Sequence, residues 1–91
     1  MKIVFDPAFL RKLKKLNART RKSFKEKILL FSKNPNDLQI DNHALRDEYK
    51  KYRSIDITSD YRAIYEEITI GNEIVSYFII IGTHAELYKK S

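Results

Sequence analysis

An α+β domain is predicted: a small antiparallel sheet of about four strands, packed with an N-terminal αα-hairpin and a short C-terminal helix. Three observations carry this. Apolar residues in the first third recur at helical spacing. The second half holds runs of β-branched and aromatic residues joined by short turn sequences. A helix-start signal follows the last and most apolar of these runs. Helices grouped apart from a run of strands mark the α+β class. At 91 residues the chain is expected to form one domain, residues 1–91, without internal repeats or low-complexity segments.

Lys2-Ile3-Val4-Phe5 is a short strand candidate. Asp6 suits an N-cap and Pro7 the first helical position, after which Phe9, Leu10, Leu13 and Leu16 recur on one face. Asn17 is expected to end that helix. A second helix is expected from about residue 20 to about residue 33, with Phe24, Ile28 and Phe31 as its stripe, and Pro35 stops it. Neither helix can bury its stripe alone, so each is expected to cover one face of a sheet. Residues 34–51 have no clean period, and Leu38, Ile40, Leu45 and Tyr49 are expected to pin this connection to the core. A connection of that length is usually functional or mobile. Residues 52–57 and 61–68 read as strands around a Thr58-Ser59-Asp60 turn, and Thr69 to Asn72 forms the next turn. Residues 74–81 read as a central strand buried on both faces. Gly82 then supplies a turn, and Thr83 with Glu86 three residues later fits a capping box.

The formal net charge is +6 and unevenly spread. Residues 1–33 hold eleven Lys/Arg against two acids, while residues 34–91 hold seven against ten. Such asymmetry suggests a polyanionic partner, with a lysine-rich solvated face as the plain alternative. Arg11, Lys12, Lys14, Lys15, Arg19, Arg21, Lys22, Lys25 and Lys27 make the surface expected to touch phosphates non-specifically. The absence of cysteine excludes disulfides and thiolate metal sites. No apolar run is long enough for a membrane-spanning helix. Asp6 and Pro7 interrupt the only place for a signal peptide, so a cytoplasmic location is permitted.

Polar chemistry concentrates near the last three strands. Arg53, Asp56, Asp60, Tyr61 and Arg62 come from one hairpin, and His84 and Tyr88 follow the final strand. Tyr61 and Arg62 are adjacent, so they point to opposite faces. The capping box puts His84 in the first turn of a helix, with Tyr88 on the same face. A histidine, a tyrosine and free helix N–H groups form a candidate anion site; a helix cap with one exposed histidine is the other reading. His43, the only other histidine, lies in the long connection.

The runs Asn42-His43-Ala44-Leu45, Tyr52-Arg53-Ser54-Ile55, Asp60-Tyr61-Arg62-Ala63-Ile64-Tyr65 and Ile81-Gly82-Thr83-His84-Ala85-Glu86-Leu87-Tyr88 resemble the YafQ branch of the RelE/ParE toxin superfamily. The resemblance covers nearly the whole chain, and its ending is the most specific part. It implies a RelE-like fold and the toxin of a type II toxin–antitoxin pair, a hydrolase that inhibits translation. Such mRNA interferases are endoribonucleases that cut mRNA in the ribosomal A site. The substrate 2′-OH attacks the adjacent phosphate without a metal, and no other cofactor is implied. The implied partners are mRNA on the ribosome and a cognate acidic antitoxin lying over the basic surface. No membrane partner is implied.

The resemblance also implies roles. His84 matches the terminal catalytic histidine and is the expected general acid. His43 and Asp60 match the loop histidine and the aspartate after the turn, candidates for the base or for orienting it. Arg62 matches the strand arginine that stabilises the phosphorane. Tyr61 and Tyr88 match aromatics that contact RNA, Tyr61 by stacking on a base, and Arg53 is expected to hold backbone phosphate. The chain departs from the pattern at Asp56, where the nearest relatives carry a further histidine; a carboxylate there is either an alternative base or a solvated strand residue. Two other readings share the fold: a non-enzymatic ParE-like toxin that binds DNA gyrase, and a degenerate member that only binds its antitoxin.

Overall fold

The computed structural model describes residues 2–87. Tyr88 lies outside them. The chain opens with β1 (Lys2–Phe5), α1 (Pro7–Lys15) and α2 (Ala18–Lys33). Asp6 Oδ1 accepts from the Ala8 N–H at 2.8 Å and Pro7 stands first in α1, as the start signal requires. Leu16 turns extended (φ −77°, ψ 159°) and ends α1. Asn17 starts the next helix instead of ending the first: its Oδ1 accepts from the Thr20 N–H at 2.8 Å, so α2 begins earlier than expected. At the other end the Asn34 N–H reaches the Leu30 carbonyl at 2.8 Å before Pro35 forbids continuation.

The connection that follows is ordered by two 3₁₀ turns, Leu38–Ile40 and Asp47–Tyr49, flanking a short strand β2 (His43–Ala44). Ile40 is buried, as expected, but Leu38 is 95% exposed and Tyr49 55% exposed. These two do not pin the segment to the core. Next come β3 (Tyr52–Asp56), β4 (Tyr61–Ile70), β5 (Glu73–Thr83) and α3 (His84–Leu87).

The sheet has five strands in the order β1-β5-β4-β3-β2. It is mixed, not wholly antiparallel: β1 runs parallel to β5, pairing Lys2 with Val75 through Phe5 with Phe78. The connection from β1 to β5 runs through both helices and three strands, long enough to return the chain in either direction, so no tight turn forces an antiparallel neighbour. The fifth strand is β2, two residues long, which the period of the connection did not signal.

Both helices cover the same face. Phe9 and Leu16 of the first pair with Phe24 and Phe31 of the second in one buried cluster with Ile55, Ala63, Tyr65, Phe78 and Ile81. Phe9 lies 5.6 Å from Phe24, Phe31 5.0 Å from Tyr65, and Tyr65 4.9 Å from Phe78, ring centre to ring centre. One hairpin suffices to cover a sheet this narrow, and the expectation of one helix per face fails.

A bulge decides which side chains face the helices. Ile64 pairs with Ile80 but Tyr65 pairs with Phe78, leaving Ile79 without an opposite residue on β4. Phe78 and Ile81 are an odd number apart, yet both join the helix-side core. In a regular strand over the same residues, strict alternation would turn one of them outward.

Candidate active site

The face of the sheet away from the helices carries the site. On β4, Ala63 and Tyr65 belong to the helix-side core, so Arg62 and Ile64 point the other way. Arg62 stands between Asp56 on β3 and Gly82 on β5. Two residues beyond Gly82, α3 folds back. A Cβ at Gly82 would meet Leu87 Cδ2 at 3.2 Å and Glu86 Oε1 at 3.3 Å, so glycine permits this close return. The capping box forms as expected: the Thr83 N–H donates to Glu86 Oε1 at 2.8 Å and the Glu86 N–H to Thr83 Oγ1 at 3.2 Å. The Glu86 carboxyl is held below the usual range, first by the Thr83 N–H and then by Lys12, whose Nζ lies 3.1 Å from Oε2. His84 is fixed at the backbone, where its N–H donates to the Asp60 carbonyl at 3.1 Å.

β2 brings the second histidine across. His43 pairs with Ser54 at the sheet edge, and the chain then continues past Leu45, whose N–H donates to the Tyr52 carbonyl at 3.0 Å. His43, Arg46, Tyr49, Arg62 and His84, with Ala44 and Leu45, line one open cleft of about 430 Å³. Three expected residues, His43, Arg62 and His84, therefore meet in one cleft.

The tautomer of His43 follows from its contact. Nδ1 lies 2.9 Å from the Asp41 carbonyl, which can only accept, so in the neutral ring Nδ1 bears the proton and Nε2 is an acceptor. Asp41 holds a left-handed backbone (φ 45°) to aim that carbonyl, a conformation aspartate tolerates better than most residues. Its carboxylate stands 3.8 Å from the same Nδ1.

The other candidates separate. Asp56 pairs with Arg62, Oδ1 to Nε at 3.2 Å, a half-buried charge contact that lacks hydrogen-bond alignment. Asp60 sits in the exposed β3–β4 turn and reaches His84 through its carbonyl; its carboxylate is not in the cleft lining. Tyr61 packs against the helix-side core, on the opposite face from Arg62, which removes it from the cleft. Arg53 is also in register with that face: its Nε donates to Asn42 Oδ1 at 2.8 Å. Asn42 in turn donates to the Tyr65 hydroxyl at 2.8 Å and the Pro35 carbonyl at 2.9 Å. Arg53 thus anchors the segment before His43, away from the cleft. Burial pushes the Tyr65 phenol up.

Arg46 and Tyr49 were not foreseen. A cation three residues after a loop histidine was the available signal for Arg46. Nothing periodic marks Tyr49. Among the described residues, no group of three His, Asp or Glu side chains is arranged to hold a metal ion.

A five-stranded sheet with three helices is the fold of the RelE/ParE superfamily toxins. The family model described as the ParE toxin of type II toxin–antitoxin systems, parDE, matches residues 3–88, and the chain belongs to that family. Solved structures agree in fold. YafQ from E. coli strain BL21(DE3) is 25% identical, with a TM-score of 0.71 over 96% of this chain and 97% of that one. The YoeB/ParE toxin from Agrobacterium tumefaciens is 21% identical, with a TM-score of 0.73 over 92% and 99%. A chain of the RelB–RelE antitoxin–toxin complex from Methanococcus jannaschii is 24% identical, with a TM-score of 0.66 over 93% and 94%. The sequence matches none of the curated proteins.

Proposed function

We propose that this toxin is an endoribonuclease that cuts mRNA on the ribosome by internal transfer. The observation that carries the reading is the meeting of His43, Arg62 and His84 in one cleft. Two histidines and a cation are the groups such a transfer needs, because RNA carries its own nucleophile. His43 Nε2 takes the proton from the 2′-OH. The 2′-oxygen bonds to phosphorus, and the bond to the 5′-oxygen breaks. Protonated His84 gives its proton to that leaving oxygen, leaving a 2′,3′-cyclic phosphate and a 5′-OH. Solvent then exchanges the protons back. Arg62 faces the charge on the phosphorane, held by Asp56 from the sheet side, and Arg46 adds a second cation. Asp60 positions His84 through its peptide. No metal enters these steps. An acidic antitoxin is the proposed partner that covers the cations.

The test is single-turnover cleavage of mRNA on programmed ribosomes, with the ends analysed chemically. Expected are cyclic-phosphate and 5′-OH ends, and no cut where the attacking 2′-OH is replaced by hydrogen. His84→Ala should lower the rate by about 2–4 orders of magnitude. Cleavage that survives the 2′-deoxy substitution, or full activity of His84→Ala, refutes the mechanism.

The family match favours a second reading, a gyrase-binding toxin without enzymatic activity. It predicts inhibited DNA supercoiling with intact mRNA, and no effect of replacing His43 or His84.

A further inference from the structure

Beside the cleft, and continuous with it through Leu45 and Tyr49, lies a second recess of about 210 Å³. Its walls include Tyr49, Tyr52, Ile64, Ile80 and Leu87. Tyr49 and Ile80 are 55% and 46% exposed there, so apolar surface has been left open in a small protein. Contiguous apolar surface rimmed by polar groups is a feature of ligand-binding grooves. Glu86 is the one charged residue in the wall, and its two carboxylate oxygens already accept from the Thr83 N–H and Lys12. The recess therefore offers two phenol rings and aliphatic surface, and opens into a cleft bearing two arginines. Its occupant must be flat and apolar at one end and anionic next to it. A nucleotide has that form. An apolar side chain beside an acidic residue of a peptide would also fill the recess, but it gains nothing from the two phenol faces that a planar base gains by stacking.

We infer that this recess is a stacking pocket for one unpaired nucleobase of the RNA, adjacent to the phosphate that is cut. The assignment rests on the ribonuclease reading above. Single-stranded RNA is recognised chiefly by stacking on aromatic rings, because its bases are free to splay out. Arg46 and Arg62 hold the backbone in the cleft, and the base of a neighbouring nucleotide turns into the recess. Tyr49 and Tyr52 are then binding residues that shape base preference, distinct from the groups that move protons.

Two measurements test it, on wild type, Tyr49→Leu and Tyr52→Leu, with circular dichroism to establish folding. Leucine keeps the wall apolar and removes the ring. The first is cleavage of mRNA on programmed ribosomes. Each variant is expected to lose about 5- to 150-fold in kcat/KM, mostly through KM, and to even out the preference among cut sites. The second is fluorescence of an uncleavable 2′-O-methyl oligonucleotide containing 2-aminopurine, expected to be quenched by wild type and less by either variant. A wild type that cuts while both variants match it in both measurements overturns the pocket and leaves the nuclease standing. A wild type that leaves mRNA intact yet quenches the probe through Tyr49 overturns the nuclease and keeps the pocket. Neither cutting nor quenching removes both.

Discussion

Asn42 joins three segments through one side chain: the Pro35 carbonyl, the Tyr65 hydroxyl and the Arg53 guanidinium. His43 is the next residue, so this node sets where the proposed base stands. Asn42→Ala leaves these half-buried groups without their partner, and should destabilise the fold by about 1–3 kcal/mol in denaturant titration. It should also lower kcat more than KM, since RNA contacts remain. A second local pair gives a pH signature. The Tyr77 hydroxyl donates to Asp6 Oδ2 at 2.5 Å. That bond chiefly, and then the Ala8 N–H, lowers the Asp6 carboxyl, while the same bond raises the Tyr77 phenol. A lowered carboxyl contributes stability above the ordinary carboxylate range, lost as pH falls through its folded value. A raised phenol contributes stability below the ordinary phenol range, lost as pH rises through its folded value. Tyr77→Phe should therefore flatten both the acid and the alkaline limb of the stability profile, followed by thermal melts across pH.

The bulge at Ile79 is the element on which the two faces depend. Deleting Ile79 sets Phe78 and Ile81 two residues apart, so both still face the helices and the pairings of Ile64 with Ile80 and Tyr65 with Phe78 are kept. The variant should therefore keep a cooperative unfolding transition, whereas Phe78→Ala, which removes a buried aromatic, should cost about 3–5 kcal/mol in denaturant titration. Thr83→Ala should act more gently: the capping box weakens by ~1 kcal/mol, and cleavage should slow about fivefold as His84 loses its fixed start of α3. Two element starts were legible in the sequence, Asp6 and Pro7 for α1 and Thr83 and Glu86 for α3, while the N-cap Asn17 of α2 read as an end because asparagine suits both termini of a helix. The bulge was not, because Ile79, Ile80 and Ile81 are chemically alike and only pairing across the sheet tells them apart. The same limit hid the placement of Tyr61 and Arg53. Adjacent strand residues face opposite ways, but the apolar run Ala63-Ile64-Tyr65 shows no alternation by which to tell the helix side from the other. Leu38 misled because an apolar residue in an aperiodic connection carries no direction.

At the scale of the molecule the basic helices and the cleft lie on opposite sides of one sheet. The two cationic surfaces should therefore be separable. Reversing Lys14 and Lys22, both exposed, to glutamate should weaken binding of long RNA and reduce the salt slope by about 2. Binding of a short oligonucleotide that spans only the cleft should be unchanged, which filter binding can compare. The parallel pairing of β1 with β5 has a kinetic consequence. The first strand has no neighbour until the last is available, and β5 also supplies the partner of β4 and leads into His84. A nascent chain can form the αα-hairpin early, but it cannot close its sheet or complete its cleft until residues 73–84 have been synthesised. Contacts this far apart in sequence make folding slow relative to a helical bundle. A nascent toxin should therefore lack a complete cleft until β5 has been made and has paired with β1 and β4.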